Sequence, residues 1–158
     1  MTLRRYTDAD WAGDGDERKS TSGFVFLLGN GAISWSSKKQ SCIALLTMEA
    51  EFVALSGAAQ EAVWLNRFMN HLNIATSNGP LVIYSDSQSS IAYTKDPKFH
   101  NRTKHIDIKY HFVKDLVARG EILLEYIPTS VMVADPMTKA LVRCDHEKHV
   151  KSQGLCNL

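Results

Sequence analysis

The sequence predicts one α/β domain built on a mixed five-stranded sheet, and three observations lead to this fold class. Three strand-like segments come first and are joined by short connections, which predicts an antiparallel meander. Two later apolar segments are each preceded by helical segments, and crossovers of this kind join strands in parallel. The length of 158 residues fits one domain with a sizeable buried core.

The meander occupies the first forty residues. Residues 3–10 alternate enough to form a strand. A second strand over 23–28 meets a third over 32–37 across Gly29-Asn30-Gly31, because glycine and asparagine tolerate the positive φ of a tight turn. Residues 47–72 contain no proline and a single glycine, which predicts a long helix after the meander.

The second half of the chain supplies the parallel strands, after residues 73–80 break the long helix. LVIYS is typical of a strand buried on both faces, and a proline favours the first position of a helix. The predicted elements are a strand over 81–85, a short helix capped by Asp86-Ser87 and running through Tyr93, a loop over 95–104, a helix over 105–118, a strand over 121–127 and a last helix beginning near Asp135-Pro136. Residues 1–142 are expected to form the domain, and residues 143–158 a C-terminal tail without a clear pattern.

Composition excludes several classes of protein. The net charge is only +1, so a nucleic-acid partner is not indicated by overall charge, although a local basic patch can still bind phosphates. No apolar run spans a bilayer and no leader is recognisable, which predicts a protein that is neither membrane-bound nor secreted. Three cysteines without a CxxC pair suit a reducing compartment. A zinc site from Cys144, His146, His149 and Cys156 matches no common spacing.

Carboxylates occupy four comparable places in this layout. They are Asp8 on the first strand, Glu49 or Glu51 early in the long helix, Asp86 at the end of the fourth strand and Asp135 at the start of the last helix. Strand ends and helix starts are where α/β sheets build sites. Carboxylates brought together repel unless they are protonated or share cations, and oxygen ligands suit Mg²⁺ or Mn²⁺. The pattern predicts a site for two divalent ions, the arrangement used to hydrolyse phosphodiesters.

Each acid also has a purely structural alternative. Asp86 and Asp135 are good helix caps, and a glutamate in the first turn offsets the helix dipole. Asp8 is harder to explain in this way, because a strand interior disfavours aspartate. Glu49 and Glu51 lie about 200° apart on the helix, so spacing alone leaves both open as ligands.

Six ordered motifs then identify a resemblance. They are YTDADWAGD, KSTSGFVFLLGNGAISWSSKKQ, TMEAEFVAL, YSDSQSSIAY, RTKHIDIKYHFV and ADPMTKAL, and together they extend over roughly residues 3–142. In this order they resemble the ribonuclease H domain at the C-terminal end of copia-type retrotransposon polyproteins. The resemblance implies the ribonuclease H-like fold and two Mg²⁺ or Mn²⁺ ions. It also implies a catalytic and metal-binding set, which consists of Asp8, Glu51, Asp86 and Asp135. Glu51 is favoured over Glu49 because AEFVAL reproduces the pattern around the catalytic glutamate of retroviral relatives.

The resemblance further implies an endoribonuclease that cuts the RNA strand of RNA/DNA hybrids during reverse transcription and leaves a 5′ phosphate and a 3′ hydroxyl. The expected partner is the adjoining reverse transcriptase domain of the full polyprotein, and the expected location is a virus-like particle in the cytoplasm. The loop PTSVMVA lacks the histidine that cellular members carry before the last aspartate, with His105 or His111 as possible substitutes. The alternatives are a weak or degenerate module that binds hybrid or connects domains, and an integrase-like enzyme acting on DNA ends.

A basic segment between the fourth and fifth strands is the expected substrate contact, since neutralised phosphates supply affinity without demanding sequence. A solvated helix face is the alternative interpretation. Together with residues at the end of the hairpin and beside Asp86, the predicted nucleic-acid-binding set is Lys38, Lys39, Gln40, Ser87, Gln88, Lys98, Arg102, Lys104, His105 and Lys109.

Overall fold

A computed structural model describes residues 2–13, 18–74, 79–95 and 104–155 of the chain. It confirms the predicted fold class, a mixed five-stranded sheet flanked by helices. The strands are β1 (Leu3–Asp10), β2 (Thr21–Leu28), β3 (Gly31–Lys39), β4 (Leu81–Ser85) and β5 (Ile122–Tyr126). The helices are α1 (Thr47–His71), α2 (Gln88–Lys95), α3 (Lys104–Ala118) and α4 (Arg143–Ser152).

The sheet has the strand order β3-β2-β1-β4-β5, which places β1 at its centre. The meander is antiparallel, as predicted, and β2 turns into β3 at Gly29, whose φ of +64° is a conformation that glycine adopts readily. The strands β4 and β5 follow helical crossovers and run parallel to β1. The centre of the sheet is therefore the boundary between its antiparallel and parallel halves.

Two apolar clusters cover the two faces of the sheet. The larger cluster packs α1, α2 and α3 against one face, with Phe26, Phe52 and Ile83 almost fully buried in it. The smaller cluster joins Tyr6 of β1 to Met132 and Ala134, which lie in the segment after β5. Within the described ranges, no helix combines the length and the apolar character needed to cross a bilayer.

The predicted start of the last helix, near Asp135, is wrong. Asp135–Met137 forms a single 3₁₀ turn, called here the Asp135 turn, and the helix α4 begins only at Arg143. The physical reason is local: the backbone N–H and the side-chain hydroxyl of Thr138 both contact the Asp135 carbonyl oxygen, at 3.1 Å each, which favours a tight turn.

Helix α4 packs onto the body of the fold through polar groups. The Gln153 side chain donates to the Val133 carbonyl oxygen at 3.0 Å, and the Ala32 backbone N–H donates to the Gln153 carbonyl oxygen at 3.0 Å. His149 is buried on the same helix. The segment 143–155 is therefore ordered against the Asp135 turn, whereas a domain boundary at residue 142 stays a prediction.

Candidate active site

The register of two neighbouring strands brings Asp8 and Asp86 together. Tyr6 of β1 pairs with Tyr84 of β4 in the parallel part of the sheet, and the two aspartates each follow two residues later. Because parallel strands end at the same edge, both carboxylates lie at the carboxyl edge of the sheet centre. Asp8 is only 1% exposed, while Asp86 is partly exposed and accepts a hydrogen bond from the Thr129 hydroxyl at 2.6 Å.

Helix α1 supplies the third carboxylate of this group. One carboxylate oxygen each of Asp8, Glu51 and Asp86 lies within 4.8 Å of the other two. Small residues permit this approach, because Ala9 of β1 packs directly on Ala50 and Ala54 of α1. In the described part of the chain, these three side chains are close enough together to share a metal ion.

The structure separates the two glutamates that spacing left open. Glu49 Oε2 accepts a hydrogen bond of 2.7 Å from the backbone N–H of Leu45, so this side chain holds the segment that leads into α1. Glu51 instead faces the two aspartates and accepts a backbone hydrogen bond from Ala9. Its second oxygen, Oε2, is buried without a hydrogen-bond partner among the described residues. An unpaired buried carboxylate oxygen is costly, which makes it a fitting ligand atom for a cation.

The pKa values of these acids show the electrostatic cost of bringing them together. Burial raises the pKa of Glu51 to about 9, and the neighbouring charges of Asp8 and Asp86 add to the rise. Burial also raises the pKa of Asp8 to about 7, while the Thr138 hydrogen bond and the Lys139 charge oppose the rise. At neutral pH the group therefore retains protons or attracts cations.

Asp135 is connected to this group by ion pairs with the side chain of Lys139. The ammonium nitrogen Nζ of Lys139 lies 3.0 Å from Asp135 Oδ1 and 4.0 Å from Asp8 Oδ2. The hydroxyl of Thr138 donates to the same oxygen of Asp8. Of the four predicted acids, the structure thus joins three directly and connects the fourth to Asp8 through the side chain of Lys139.

The donor set fits a divalent metal ion. All the converging ligand atoms are carboxylate oxygens, which Mg²⁺ and Mn²⁺ prefer over nitrogen or sulfur ligands. An open cleft of about 620 Å³ gives solvent access to the group, and its walls include Glu51, Asp86, Ser87, Gln88 and Tyr126. Soft ligands are not part of the site, and no metal cluster in the described ranges includes Cys144 or His146.

Known proteins resemble this chain along nearly all of its length, although no family model matches it. A Pol polyprotein of the transposon TNT 1-94 from Nicotiana tabacum is 44% identical over 141 residues, which cover 89% of this chain and 10% of the relative. The Pol polyprotein of the transposon RE2 from Arabidopsis thaliana is 36% identical over 155 residues, which cover 98% of this chain and 11% of the relative. The chain therefore spans about a tenth of the length of these relatives.

Solved structures share the fold. RNase H1 from Halobacterium salinarum superposes with a TM-score of 0.59 at 15% identity, covering 87% of this chain and 95% of that chain. The compost enzyme LC11-RNase H1, solved with an RNA/DNA hybrid, gives a TM-score of 0.58 at 17% identity and covers 86% of this chain and 93% of that chain. This chain matches a segment of retrotransposon Pol polyproteins and has the ribonuclease H-like fold.

The predicted nucleic-acid-binding residues of this chain fall into three groups. Ser87 and Gln88 border the acidic cleft. Lys38 and Lys39 from the end of β3 share a second cavity, of about 250 Å³, with Lys109 of α3. Gln40 also borders this cavity, but it is buried and its side-chain nitrogen donates to Ser22 Oγ and the Ala50 carbonyl oxygen, at 2.8 Å each. Two further predicted residues, Lys98 and Arg102, lie outside the described residues. The last two, Lys104 and His105, lie on α3, but their side chains are not described.

Three residues close to the acidic group or the Asp135 turn were not assigned a role at this site from the sequence. Lys139 lies four positions after Asp135, a spacing at which opposite charges commonly pair, and this signal was available. The hydrogen bond of Thr138 to Asp8 joins distant segments and has no such signal. The same holds for His149, which α4 buries near the Asp135 turn; burial lowers its pKa, and the charge of Asp135 opposes this. His111, a suggested substitute for the missing loop histidine, is exposed on α3 and contacts Tyr110.

Proposed function

We propose that this domain hydrolyses the RNA strand of an RNA/DNA hybrid in the presence of Mg²⁺ or Mn²⁺ and leaves a 5′ phosphate and a 3′ hydroxyl. The observation that carries the proposal is the convergence of Asp8, Glu51 and Asp86 at the carboxyl edge of a ribonuclease H-like sheet. Three carboxylates within 4.8 Å of one another, with two pKa values raised, form a site that a divalent cation stabilises.

The residues have separable roles in this proposal. Asp8, Glu51 and Asp86 would hold one ion, and Asp8 and Asp135 would hold a second. Such ions would supply an activated water and stabilise the leaving oxygen of the phosphodiester. Burial of Asp8 beneath Thr138 keeps its carboxylate in one orientation, while the partly exposed Asp86 borders the open cleft. Ser87 and Gln88, which border the same cleft, are placed to contact the sugar-phosphate backbone beside the cut.

The basic cavity and the similar proteins both support the proposed substrate class. Lys38 and Lys39 of β3 and Lys109 of α3 border one cavity, so they present positive charge that can bind phosphates without demanding sequence. Backbone contacts of this kind suit recognition of groove shape and 2′-hydroxyls. Two proteins of similar fold, LC11-RNase H1 and the foamy viral protease-reverse transcriptase, have been solved in complex with RNA/DNA hybrid.

The wider setting of the proposal is a longer polyprotein. The relatives are Pol polyproteins about ten times as long as the matched segment, and the foamy viral neighbour carries a reverse transcriptase in the same chain. We therefore propose that an adjoining reverse transcriptase domain supplies the hybrid, within a virus-like particle in the cytoplasm.

A module that binds hybrid without cutting it is the second candidate function. It is favoured by one observation, namely that the loop before Asp135 carries no histidine. Turnover separates the two candidates, because a binding module retains affinity for hybrid but releases no product when Mg²⁺ is added.

The deciding experiment uses the full chain and a hybrid labelled on each strand in turn. With Mg²⁺ we expect cutting of the RNA strand alone, and Asp86→Asn should abolish it while leaving the circular dichroism spectrum unchanged. Asp115→Asn is the matched control, since Asp115 is exposed on α3 and pairs with Arg119 at the surface. Equal cutting of duplex DNA would defeat the substrate assignment, and intact hybrid with active controls would favour the binding module.

A further inference from the structure

Lys139 occupies the space between two of the proposed metal ligands. Its ammonium nitrogen is 3.0 Å from Asp135 Oδ1 and 4.0 Å from Asp8 Oδ2, so one positive charge interacts with two buried carboxylates. The carboxylates themselves are 6% and 2% exposed, whereas the lysine side chain is 32% exposed. The cation is thus the partly solvated member of an otherwise buried trio.

The group of Asp8, Glu51 and Asp86 differs from the pair of Asp8 and Asp135 in its distance from this ammonium. Asp8, Glu51 and Asp86 converge on one another, whereas Asp8 and Asp135 have the Lys139 ammonium between them. Glu51 Oε2 and Asp135 Oδ1 are both buried without a hydrogen bond among the described residues, but only Asp135 Oδ1 lies within 3.0 Å of this ammonium. A divalent ion in the first group meets the Lys139 charge only at the longer distance, because the ammonium is 4.0 Å from Asp8 Oδ2 and 3.0 Å from Asp135 Oδ1. An ion held by Asp8 and Asp135 has to take the place of the Lys139 ammonium, because two cations at hydrogen-bond distance from one carboxylate repel each other.

We propose that Lys139 is a built-in competitor for the second metal position and thereby sets the order of metal binding. The proposal rests on the proposed function, which assigns Asp8 and Asp135 to the second ion. The first ion binds to Asp8, Glu51 and Asp86, and the second binds only when the Lys139 ammonium moves out toward solvent. Its partly exposed, flexible stem allows this movement without a change in the backbone.

The order has a consequence for the hybrid. The phosphate of a bound nucleic acid offers the displaced ammonium a new negative partner, so Lys139 can move from Asp135 to the substrate backbone as the second ion enters. Lys139 is then a positioning residue that holds the Asp135 turn in the metal-free protein and limits the second ion until substrate is present.

The test counts Mn²⁺ ions bound to the full chain by calorimetry and electron paramagnetic resonance, without substrate. We expect one tighter and one weaker ion in the unaltered protein. Lys139→Met and Lys139→Gln should each tighten the second ion by about tenfold, which corresponds to ~1.4 kcal/mol. Lys139→Arg keeps the charge and should keep the weak second site. Lys151→Met is the control for net charge, since Lys151 is exposed on α4.

Each outcome decides the proposal. Tightening of the second ion in Lys139→Met, lost again when Asp135→Asn is added, supports it. Equal second-ion affinity in all variants overturns it while the first ion still supports the proposed function, and absence of any bound Mn²⁺ overturns both. If the uncharged variants unfold in metal-free buffer, Mn²⁺ should refold them, because the ion replaces the missing cation; variants that stay unfolded with Mn²⁺ overturn the proposal.

Discussion

The hydroxyl of Thr138 donates a hydrogen bond to Asp8 Oδ2, although 130 residues separate the two in the chain. This bond ties the Asp135 turn to the centre of the sheet, because Thr138 also contacts the Asp135 carbonyl oxygen at 3.1 Å. Two acids from opposite ends of the sequence are therefore positioned by one small side chain. A hydrogen bond to a charged group contributes more than one between neutral groups.

Replacing Thr138 by valine should destabilise the metal-free domain more at high pH than at low pH. The Thr138 hydrogen bond lowers the pKa of Asp8, so it favours the ionised carboxylate, which predominates above a pKa of about 7. We expect a loss of about 1.5–3 kcal/mol in the free energy of unfolding at pH 8.5 and a smaller loss at pH 5.5, measured by urea denaturation. Thr138→Ser keeps the hydroxyl and is the control. An equal loss at both pH values would contradict this role.

Replacing each of the two glutamates by glutamine should separate a ligand from a structural residue. Glu51→Gln removes a carboxylate ligand from the acidic group, and we expect hybrid cutting to fall by at least ~100-fold, or ~2.7 kcal/mol of transition-state stabilisation. Glu49→Gln keeps an oxygen that accepts from the Leu45 N–H, so cutting should remain and stability should fall by less than about 1 kcal/mol. Initial rates on labelled hybrid measure both variants. Loss of cutting in Glu49→Gln with an intact fold would reverse the assignment.

The contrast between these glutamates shows where sequence reasoning stops. Periodicity and turn residues predicted the strands β1 and β4 with their observed bounds, because alternation and glycine turns are local properties. The choice between Glu49 and Glu51 was not local, since it depends on how α1 approaches Ala9 of β1. Only the resemblance to a family favoured Glu51 in advance.

The end of the chain was predictable only in part. Pro136 was expected to start a helix, but the contacts of Thr138 with the Asp135 carbonyl oxygen favour a single tight turn. Helix α4 was missed because it has no apolar stripe; it packs through buried His149 and Gln153. The pairing of Lys139 with both Asp135 and Asp8 required the fold to bring distant segments together.

The metal-free domain should lose stability as pH rises from about 5 to 9. Glu51 has a folded pKa of about 9 against an ordinary value of 4.5, so between these values the folded state binds more protons than the unfolded state. Stability then decreases with rising pH by at most ~1.4 kcal/mol per pH unit for this group. Asp8 acts in the same direction up to a pH of about 7.

Urea denaturation in chelator measures this slope. Glu51→Gln should flatten it between pH 7 and 9 and be more stable than the unaltered domain at pH 8.5, by on the order of 2 kcal/mol. Saturating Mg²⁺ should also flatten the slope, because a bound cation favours the ionised carboxylates. Asp115→Asn should leave the slope unchanged, since Asp115 is exposed on the helix surface. A metal-free slope of zero in the unaltered domain would show that burial and the neighbouring charges do not raise the pKa of Glu51.

Adding one methyl group at Gly23 should displace the Asp135 turn. Gly23 lies opposite Asp8 in the β1–β2 register, and a Cβ there would lie 2.6 Å from Met137 Cβ and 2.7 Å from Thr138 Cγ2. Real Cβ atoms do not approach so closely, so the turn that carries Asp135 has to move away from the sheet. We expect Gly23→Ala to cost about 1–3 kcal/mol of stability and to weaken Mn²⁺ binding.

Gly57→Ala provides the matched control for this prediction. Gly57 is exposed within α1, and a Cβ there meets no atom within 4 Å. Alanine favours a helix by about 0.5–1 kcal/mol over glycine, so this variant should be more stable than the unaltered domain and bind Mn²⁺ equally well. Thermal unfolding and Mn²⁺ titration of both variants measure the difference. If Gly23→Ala were as stable as Gly57→Ala, the contact between β2 and the Asp135 turn would not hold the fourth acid in place.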